Sequence, residues 1–310
     1  MSFDSYTPQN LPREFEAYFT KSQSKVGKSG KFGILRLNLE KDPTTGITVI
    51  REQYSRVPLL AQRAIYLEET LPAMAYVYIV SPSGGILQGD HYKIDITLDH
   101  NALAHVTTQG ATRIYKMENS HATQTINIKV EKNGYFEYIP DQIIPFRNSR
   151  FYQEVHLDVH DTATMIYSEI IVPGRIASGE AFEYDICYLK TIGKNTLGKP
   201  RFTDTIKLEP KKHKLSTEGI LGNSHVVGTI YIVTKESHVN VLYNSINNKI
   251  LNSKSRVRIE AGVSILPGRQ GILVRILGNS AEDLKKMIFE IIGIARKIIV
   301  NASFSGIRKA

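Results

Sequence analysis

The segment with the clearest metal-ligand character holds His156, Asp158 and His160, which alternate with apolar residues. Imidazole and carboxylate groups suit nickel or zinc. On a β-strand these side chains would share one face, with about 7 Å between neighbours. The two histidines at the ends would then be far apart for binding one ion together unless the strand bends. The same alternation is typical of a strand whose polar face meets water. A metal-dependent hydrolase or metal-binding module on this strand is therefore the alternative hypothesis, beside a solvated strand face.

Residues 83–90 form a glycine-rich segment that contains Gly84, Gly85 and Gly89. Its spacing differs from the G-x-G-x-x-G pattern, and a strand-like run follows it where a phosphate site would need a helix. The glycines instead indicate a sharp turn or a close approach of two backbones, with Asp90 opening the next strand. A nucleotide site is not predicted here.

Residues 106–116 gather hydroxyls, an amide and two cations in one short segment, among them Thr112 and Arg113. Such a segment is commonly the polar face of a strand. Elsewhere the carboxylates are scattered, and the G-x-S-x-G and H-E-x-x-H patterns are absent from the sequence. The residues give no positive support for a catalytic centre.

Composition narrows the class of protein. The 310 residues include a single cysteine, Cys187, so one chain can form neither a disulfide framework nor a cysteine-based zinc site. The net charge of +9 fits an acidic partner or ordinary solubility. Aromatic residues do not cluster with arginines, so nucleic-acid binding is not predicted. Neither a signal peptide nor a run of about 18 apolar residues is visible, so we expect a cytoplasmic protein without a membrane span.

Hydrophobic periodicity predicts a mainly β protein of the α+β class. From about residue 32 to residue 189, apolar residues recur at every second position, as in Tyr92, Ile94 and Ile96. Turn signals separate these runs at short intervals. We therefore expect a large antiparallel β-sandwich-like body with a few helices. The basic stretch 190–216 is expected to be a hairpin or loop with a solvated charged face.

The C-terminal third has a different rhythm. Residues 226–300 are predicted to follow the order β-α-β-β-α, like part of a ferredoxin-like split unit. The last helix is amphipathic, with Ser280 as a suitable N-cap and Arg296 among the charged residues placed away from the apolar stripe. Residues 1–31 are polar and basic and are predicted to be a poorly ordered extension. We expect one β-rich domain over residues 32–310.

Four blocks of sequence, in this order, resemble the urease accessory protein D family, UreD, which is called UreH in some bacteria. The blocks are residues 76–90, 104–116, 136–146 and 169–182. They include the glycine-rich and threonine-rich segments, and the resemblance covers about residues 56–190, while the C-terminal third matches only in its pattern. At position 83 the family pattern has proline, whereas this chain has Ser83. This departure bears on the rigidity of the turn and not on function.

The resemblance implies a mainly β fold and a non-catalytic role. UreD-type proteins form a complex with UreF-type proteins and the GTPase UreG, dock on apo-urease and help to insert nickel into its active site. An internal tunnel is proposed to carry the ion. The resemblance thus implies no tightly bound cofactor and a transient contact with Ni²⁺, and it leaves room for a dimer within the accessory complex.

The resemblance also suggests which residues accompany the ion. Polar positions associated with the tunnel fall on Asp90, Thr112, Arg113, Glu169 and Glu180. The turn positions are Gly84, Gly85, Gly89, Pro173 and Gly174. Oxygen ligands that bind weakly and exchange suit a passage better than a closed histidine or cysteine cage. For Glu169, which precedes an apolar run, a buried structural carboxylate is the alternative.

Overall fold

The strands of this protein lie in two facing sheets. The computed structural model describes residues 11–18, 30–252, 259–304 and 306. The strands of the first sheet, from edge to edge, are β14 (Pro200–Leu208), β13 (Ile186–Lys194), β11 (Arg150–Val159), β8 (Ala122–Val130), β5 (His91–Leu98), β1 (Phe32–Lys41) and β2 (Thr48–Arg56). Those of the second sheet are β16 (Glu260–Ile265), β17 (Gly271–Gly278), β15 (Val226–Val233), β12 (Thr164–Ile171), β9 (Tyr135–Tyr138), β6 (Leu103–Thr108), β4 (Ala75–Val80) and β3 (Leu60–Ala61), with β10 (Ile143–Pro145) and β7 (Thr112–Ile114) attached through β12.

The central strands of both sheets are parallel, and the chain alternates between the sheets. In the first sheet β5, β8 and β11 pair in parallel, and in the second β6, β9 and β12 do so. The chain passes from β5 to β6, later from β8 to β9, and then from β11 to β12. A strand of one sheet thus serves as the crossover between parallel neighbours in the other, which produces a solenoid-like coil.

The mainly β prediction is confirmed, whereas the predicted antiparallel sandwich is not. Antiparallel pairs lie in the outer parts of the sheets, such as β1 with β2, β13 with β14, and β15 with β17. The physical reason is that a two-residue period reports one buried and one open face, and it carries no information on strand direction. A helical crossover is the usual sign of parallel strands, and here a strand of the opposite sheet takes its place.

Stacked turns join the sheets where the coil changes direction. The side-chain amide of Asn133 donates to Oδ1 of Asn101 at 3.1 Å, and its backbone N–H donates to Oγ1 of Thr162 at 3.1 Å. Both asparagines have positive φ angles, of 60° and 58°. Because asparagine tolerates this left-handed conformation, the turn signals in the sequence mark successive corners of the coil.

The main core fills the space between the sheets. Along β5, the inward residues Ile94, Ile96 and Leu98 are buried in it, while Lys93 and Asp95 on the outer face are only partly buried. The predicted alternation is therefore correct for this strand. The basic stretch 190–216 runs through the hairpin of β13 and β14, as expected.

The C-terminal segment has the predicted β-α-β-β-α order. After β15 come α1 (Glu236–Leu251), β16, β17 and α2 (Ala281–Ile299). The Ser280 hydroxyl accepts a hydrogen bond from the backbone N–H of Asp283 at 3.3 Å, which confirms the N-cap. A second core lies between these helices and the outer face of the second sheet.

Part of the predicted N-terminal extension packs on the first sheet. Arg13–Tyr18 forms a 3-10 helix whose Phe15 is buried against Tyr152 and Tyr188. Residues 1–10 and 19–29 lie outside the described residues, so the division into an extension and one domain stays a prediction. Among the helices of the described ranges, none combines the length and apolar character that crossing a membrane requires.

Candidate functional site

A cavity of about 380 Å³ lies between the two sheets. Its outer end is lined by residues of segments 81–85 and 109–113, several of which are exposed. Its inner end is buried and polar, and the residues there are Gln124, Tyr138, Gln153, Tyr167 and Glu169. The cavity thus leads from the surface to a polar centre inside an otherwise apolar core.

Glycine shapes the outer end of this cavity. A Cβ atom at Gly85 would lie 2.5 Å from the carbonyl oxygen of Arg113 and 2.5 Å from the ring of Tyr115. Directly beyond this contact, Ile86 forms a parallel bridge to Ile114. Any side chain at Gly85 would push the two segments apart, so the close approach requires glycine.

Strand register brings the polar residues of the inner end together. Gln124 of β8 and Gln153 of β11 are paired, and Gln124 Nε2 donates to Gln153 Oε1 at 3.0 Å. Gln153 Nε2 donates to the Tyr167 hydroxyl at 3.2 Å and to Glu169 Oε2 at 3.5 Å. The Tyr167 hydroxyl donates to the same Glu169 oxygen at 2.8 Å. One oxygen of Glu169 is thus held by two donors.

The other oxygen of Glu169 is different. The residue is 3% exposed, and its Oε1 has no hydrogen-bond partner within the described part of the chain. Burial raises the pKa of Glu169 to about 7, against the opposing effects of the Tyr167 hydrogen bond and the Arg275 charge. A buried carboxylate oxygen without a donor is costly, and a proton or a cation would relieve that cost.

Aromatic rings form a wall beside Glu169. Tyr138, Tyr167, Tyr231 and Phe202 stack in a row, with successive centroid separations of 5.8, 5.6 and 5.4 Å. The row crosses the second sheet and ends at β14 of the first. Such stacking restricts ring motion and so keeps the Tyr167 hydroxyl pointed at Glu169.

Three of the five predicted path residues line the cavity. Thr112 and Arg113 lie at its outer end with Gly84 and Gly85, and Glu169 lies at its inner end. Asp90 and Glu180 do not belong to its lining.

Asp90 instead fixes a turn. Its Oδ1 accepts hydrogen bonds from the backbone N–H groups of Lys31 at 2.8 Å and Gly30 at 3.3 Å, and its Oδ2 accepts one from Leu87 at 2.9 Å. The preceding Gly89 has a φ of 75°. Asp90 therefore joins the start of β1 to the glycine-rich turn.

Glu180 takes part in a turn with Pro173 and Gly174. Arg175 Nε donates to Glu180 Oε2 at 2.9 Å, and this hydrogen bond lowers the pKa of the carboxyl group. Gly174 has a φ of 139°, and a Cβ atom there would lie 2.6 Å from the carbonyl oxygen of Glu180. The geometry gives Glu180 a partner in the turn and no contact with the cavity.

The histidine-rich strand does not assemble a metal site. His156 and Asp158 are partly buried positions of β11, and His156 Nε2 lies 3.6 Å from Glu154 Oε1. His160 is in the following turn, where its Nδ1 accepts from the Thr162 backbone N–H at 3.1 Å. Across the described ranges, no three or more His, Cys, Asp or Glu residues are grouped so as to hold a metal ion. The alternative metal-site hypothesis therefore has no support from the structure.

Sequence reasoning missed a second buried polar centre, under α2. Arg296 is fully buried, and its guanidinium donates to both carboxylate oxygens of Glu137 at 2.7 Å and to Glu68 at 2.9 Å. Burial opposes ionisation of Glu137, but the hydrogen bonds from Arg296 and His105 outweigh it and lower the pKa to about 2. The prediction that Arg296 lies on the charged side of the helix is wrong, because a buried carboxylate on strand β9 and another in a loop supply partners that a helical pattern cannot show.

A signal for the inner polar residues was present in the sequence. Gln124 precedes Ile126 by two positions, and Gln153 precedes Val155 by two. A two-residue period therefore places both glutamines on the inward face. An inward polar residue on an otherwise apolar strand face indicates a polar interior or a ligand path.

Together these groups can make weak, exchangeable contacts with a cation. The donors are oxygens of a carboxylate, phenols, amides and hydroxyls, a set that suits hard or borderline divalent cations without holding them tightly.

Comparison with known proteins shows the family to which this chain belongs. A family model described as UreD urease accessory protein matches residues 31–308. The chain belongs to the UreD family. It is 42% identical over 284 residues to a urease accessory protein UreD of Cenarchaeum symbiosum, covering 92% of this chain and 98% of that protein. It is 38% identical over 283 residues to urease accessory protein UreD 2 of Brucella canis, covering 91% and 92%. A UreD of Photorhabdus laumondii is 36% identical over 288 residues, covering 91% and 87%.

The UreD match extends well beyond the four motif blocks. It includes the β-α-β-β-α segment and Arg296, so the second polar centre belongs to the matched region. The cavity and all of its lining lie within residues 31–308 as well.

Proposed function

We propose that this UreD-family chain is a non-catalytic urease maturation factor. It works with UreF-type and UreG-type accessory proteins on apo-urease, and it helps nickel to reach the urease active site. Family membership supports the role in urease maturation. The observation that supports a part for this chain in nickel handling is Glu169, a buried carboxylate with one oxygen unpartnered in the described structure, at the inner end of a cavity.

In this proposal Ni²⁺ is the cargo, and the cavity is part of its route. The ion enters past the Thr112 hydroxyl and meets the Gln153 amide, the Tyr167 hydroxyl and the Glu169 carboxylate. These oxygen donors replace part of the hydration shell while leaving the ion able to exchange. Glu169 supplies the charge that makes the buried end of the cavity tolerable for a dication.

The test is nickel insertion in a reconstituted system. Apo-urease, this chain, its UreF-type and UreG-type partners, GTP and Ni²⁺ are combined, and urease activity and nickel content are measured. Glu169→Gln keeps the size of the side chain and removes the charge, so we expect a clear loss of nickel insertion with complex assembly intact in a pull-down.

The matched control is Glu131→Gln, which removes a carboxylate from a turn outside the cavity. It should leave both readouts unchanged. Normal nickel content with Glu169→Gln would refute the role of the cavity, and loss of assembly would instead make Glu169 a structural carboxylate.

A further inference from the structure

The polar centre at Glu169 continues beyond the cavity toward the opposite edge of the protein. Glu169 of β12 is directly paired with Thr229 of β15, and Thr229 is paired with Arg275 of β17. Thr229 is fully buried, whereas the Arg275 side chain is 32% exposed. A polar row therefore leads from the buried carboxylate to the surface along one level of the second sheet.

Hydrogen bonds close the surface end of this row. Arg275 Nη1 donates to Thr229 Oγ1 at 2.9 Å, and Nη2 donates to Asp204 Oδ2 at 2.7 Å. The Tyr231 hydroxyl donates to the same Asp204 oxygen at 2.7 Å. Asp204 belongs to β14, the edge strand of the first sheet, so the ion pair joins that strand to β17 of the second sheet across the gap between the sheets.

The ion pair is in electrostatic contact with the cavity. The charges of Arg275 and Asp204 both act on the Glu169 carboxyl, the former favouring and the latter opposing its ionisation. Tyr231 stacks on Tyr167, whose hydroxyl donates to Glu169. While the ion pair is closed, the Arg275 guanidinium is bonded to both Thr229 and Asp204 and so stands across the row between Glu169 and the surface.

We propose that the Arg275–Asp204 pair gates a second opening of the cavity, between edge strand β14 of the first sheet and β17 of the second, through which a divalent cation leaves. This inference rests on the proposed passage of nickel through the cavity. It adds an exit, with Thr229 and Tyr231 as its inner rim, and it assigns Arg275 as the residue that decides whether the exit is open to a cation.

The only cysteine of the chain is a natural reporter for such an opening. Cys187 is buried in the core between the sheets. Burial raises the pKa of its thiol, and the charge of nearby Glu169 adds to this effect. The packed thiol is therefore slow to react, and water that enters along the row beside it would raise its thiolate fraction.

The experiment measures the rate of Cys187 modification by methyl methanethiosulfonate in the isolated full-length chain, without nickel or partners. Arg275→Ala removes the guanidinium that closes the row, and we expect labelling to be about tenfold faster, as for the loss of a hydrogen bond to a charged group. Asp204→Ala should act in the same direction, and it preserves the test if the arginine variant fails to fold.

The matched control is Arg36→Ala, which breaks another partly exposed ion pair, with Asp95, on the first sheet. It should label at the wild-type rate. Thermal melting of each variant separates local opening from global unfolding. Equal labelling in the wild type, Arg275→Ala and Asp204→Ala would overturn the gate, as would acceleration that only follows the loss of global stability.

Because this assay contains no nickel, its outcome is independent of the proposed function. Faster labelling of the gate variants together with normal nickel insertion by Glu169→Gln would keep the opening and reject the nickel route. Unchanged labelling together with loss of nickel insertion by Glu169→Gln would keep the route and reject the gate.

Discussion

At the scale of single residues, the environment of Glu169 determines what its carboxyl group can do. A surface carboxylate would be ionised and hydrated at neutral pH, and it would bind a cation no better than many others. Glu169 is instead buried, with one oxygen held by Tyr167 and Gln153 and the other without a donor in the described structure. With its pKa of about 7, the carboxyl group exchanges its proton near neutral pH, so a cation that bound there would compete with that proton.

The raised pKa of Glu169 gives a testable pH dependence of stability. Since the folded state binds the proton more tightly than the unfolded chain does, this group stabilises the fold at low pH, and its contribution is lost as pH rises from the ordinary value of 4.5 to about 7. Between pH 5 and pH 8 we expect the wild-type free energy of unfolding to fall by on the order of 2 kcal/mol more than that of Glu169→Gln. Urea denaturation at the two pH values measures this difference, and parallel curves would contradict it.

At the scale of elements, α2 is held by charge as well as by its apolar stripe. The helix follows its sequence pattern at Ser280 and along the buried residues Leu284, Ile288 and Ile291. Near its end, Arg296 reaches into the sheet and binds Glu137 and Glu68. The arginine thus joins the last helix to a strand and a loop that lie far away in sequence.

Removing this arginine should destabilise the protein strongly. Arg296→Met leaves Glu137 and Glu68 buried without their cation, and we expect a loss of about 3–5 kcal/mol in the free energy of unfolding. The double variant Arg296→Met with Glu137→Gln should lose less, because one of the stranded charges is gone. Urea denaturation of both variants tests this, and equal losses would show that the ion pair itself contributes little beyond packing.

At the scale of the whole molecule, the coil explains how a closely packed apolar core can also contain a polar cavity. Successive coils repeat structurally: the Asn133 contacts to Asn101 and Thr162 join residues 32 and 29 positions apart. Parallel pairing stacks equivalent inward positions, so Gln124 and Gln153 stand side by side and form a polar track through an apolar core. An inward polar side chain in one turn of the coil can therefore contact a polar side chain in the next turn, while the outer faces of the sheets stay unchanged.

Hydrogen exchange should report this architecture. Strands β12 and β15 are buried along their whole length, whereas β2 is an edge strand with mostly exposed residues and β16 is an edge strand exposed at alternate residues. We expect the amides of β12 and β15 to exchange slowest and those of β2 and β16 fastest, because local opening requires little loss of burial at the edges. Exchange of β12 as fast as that of β2 would contradict the solenoid-like arrangement.

The sequence by itself determined the local features of this protein. It determined the mainly β content, the C-terminal β-α-β-β-α order, the Ser280 cap and the glycine-dependent approach at Gly85. Each of these depends on interactions within a few residues, or on the period of burial along one element. The four motif blocks likewise predicted the UreD family that the matches over most of the chain establish.

Only the tertiary structure decided which residues meet. Strand direction, the burial of Arg296, and the separation of Asp90 and Glu180 from the cavity all depend on contacts between residues far apart in the chain. Asp90 and Glu169 look alike as carboxylates next to apolar strand residues, yet one is held by backbone N–H groups in a turn and the other is buried at the inner end of the cavity. The cost of burying charge depends on the partners that the fold brings to it, and a linear pattern does not contain those partners.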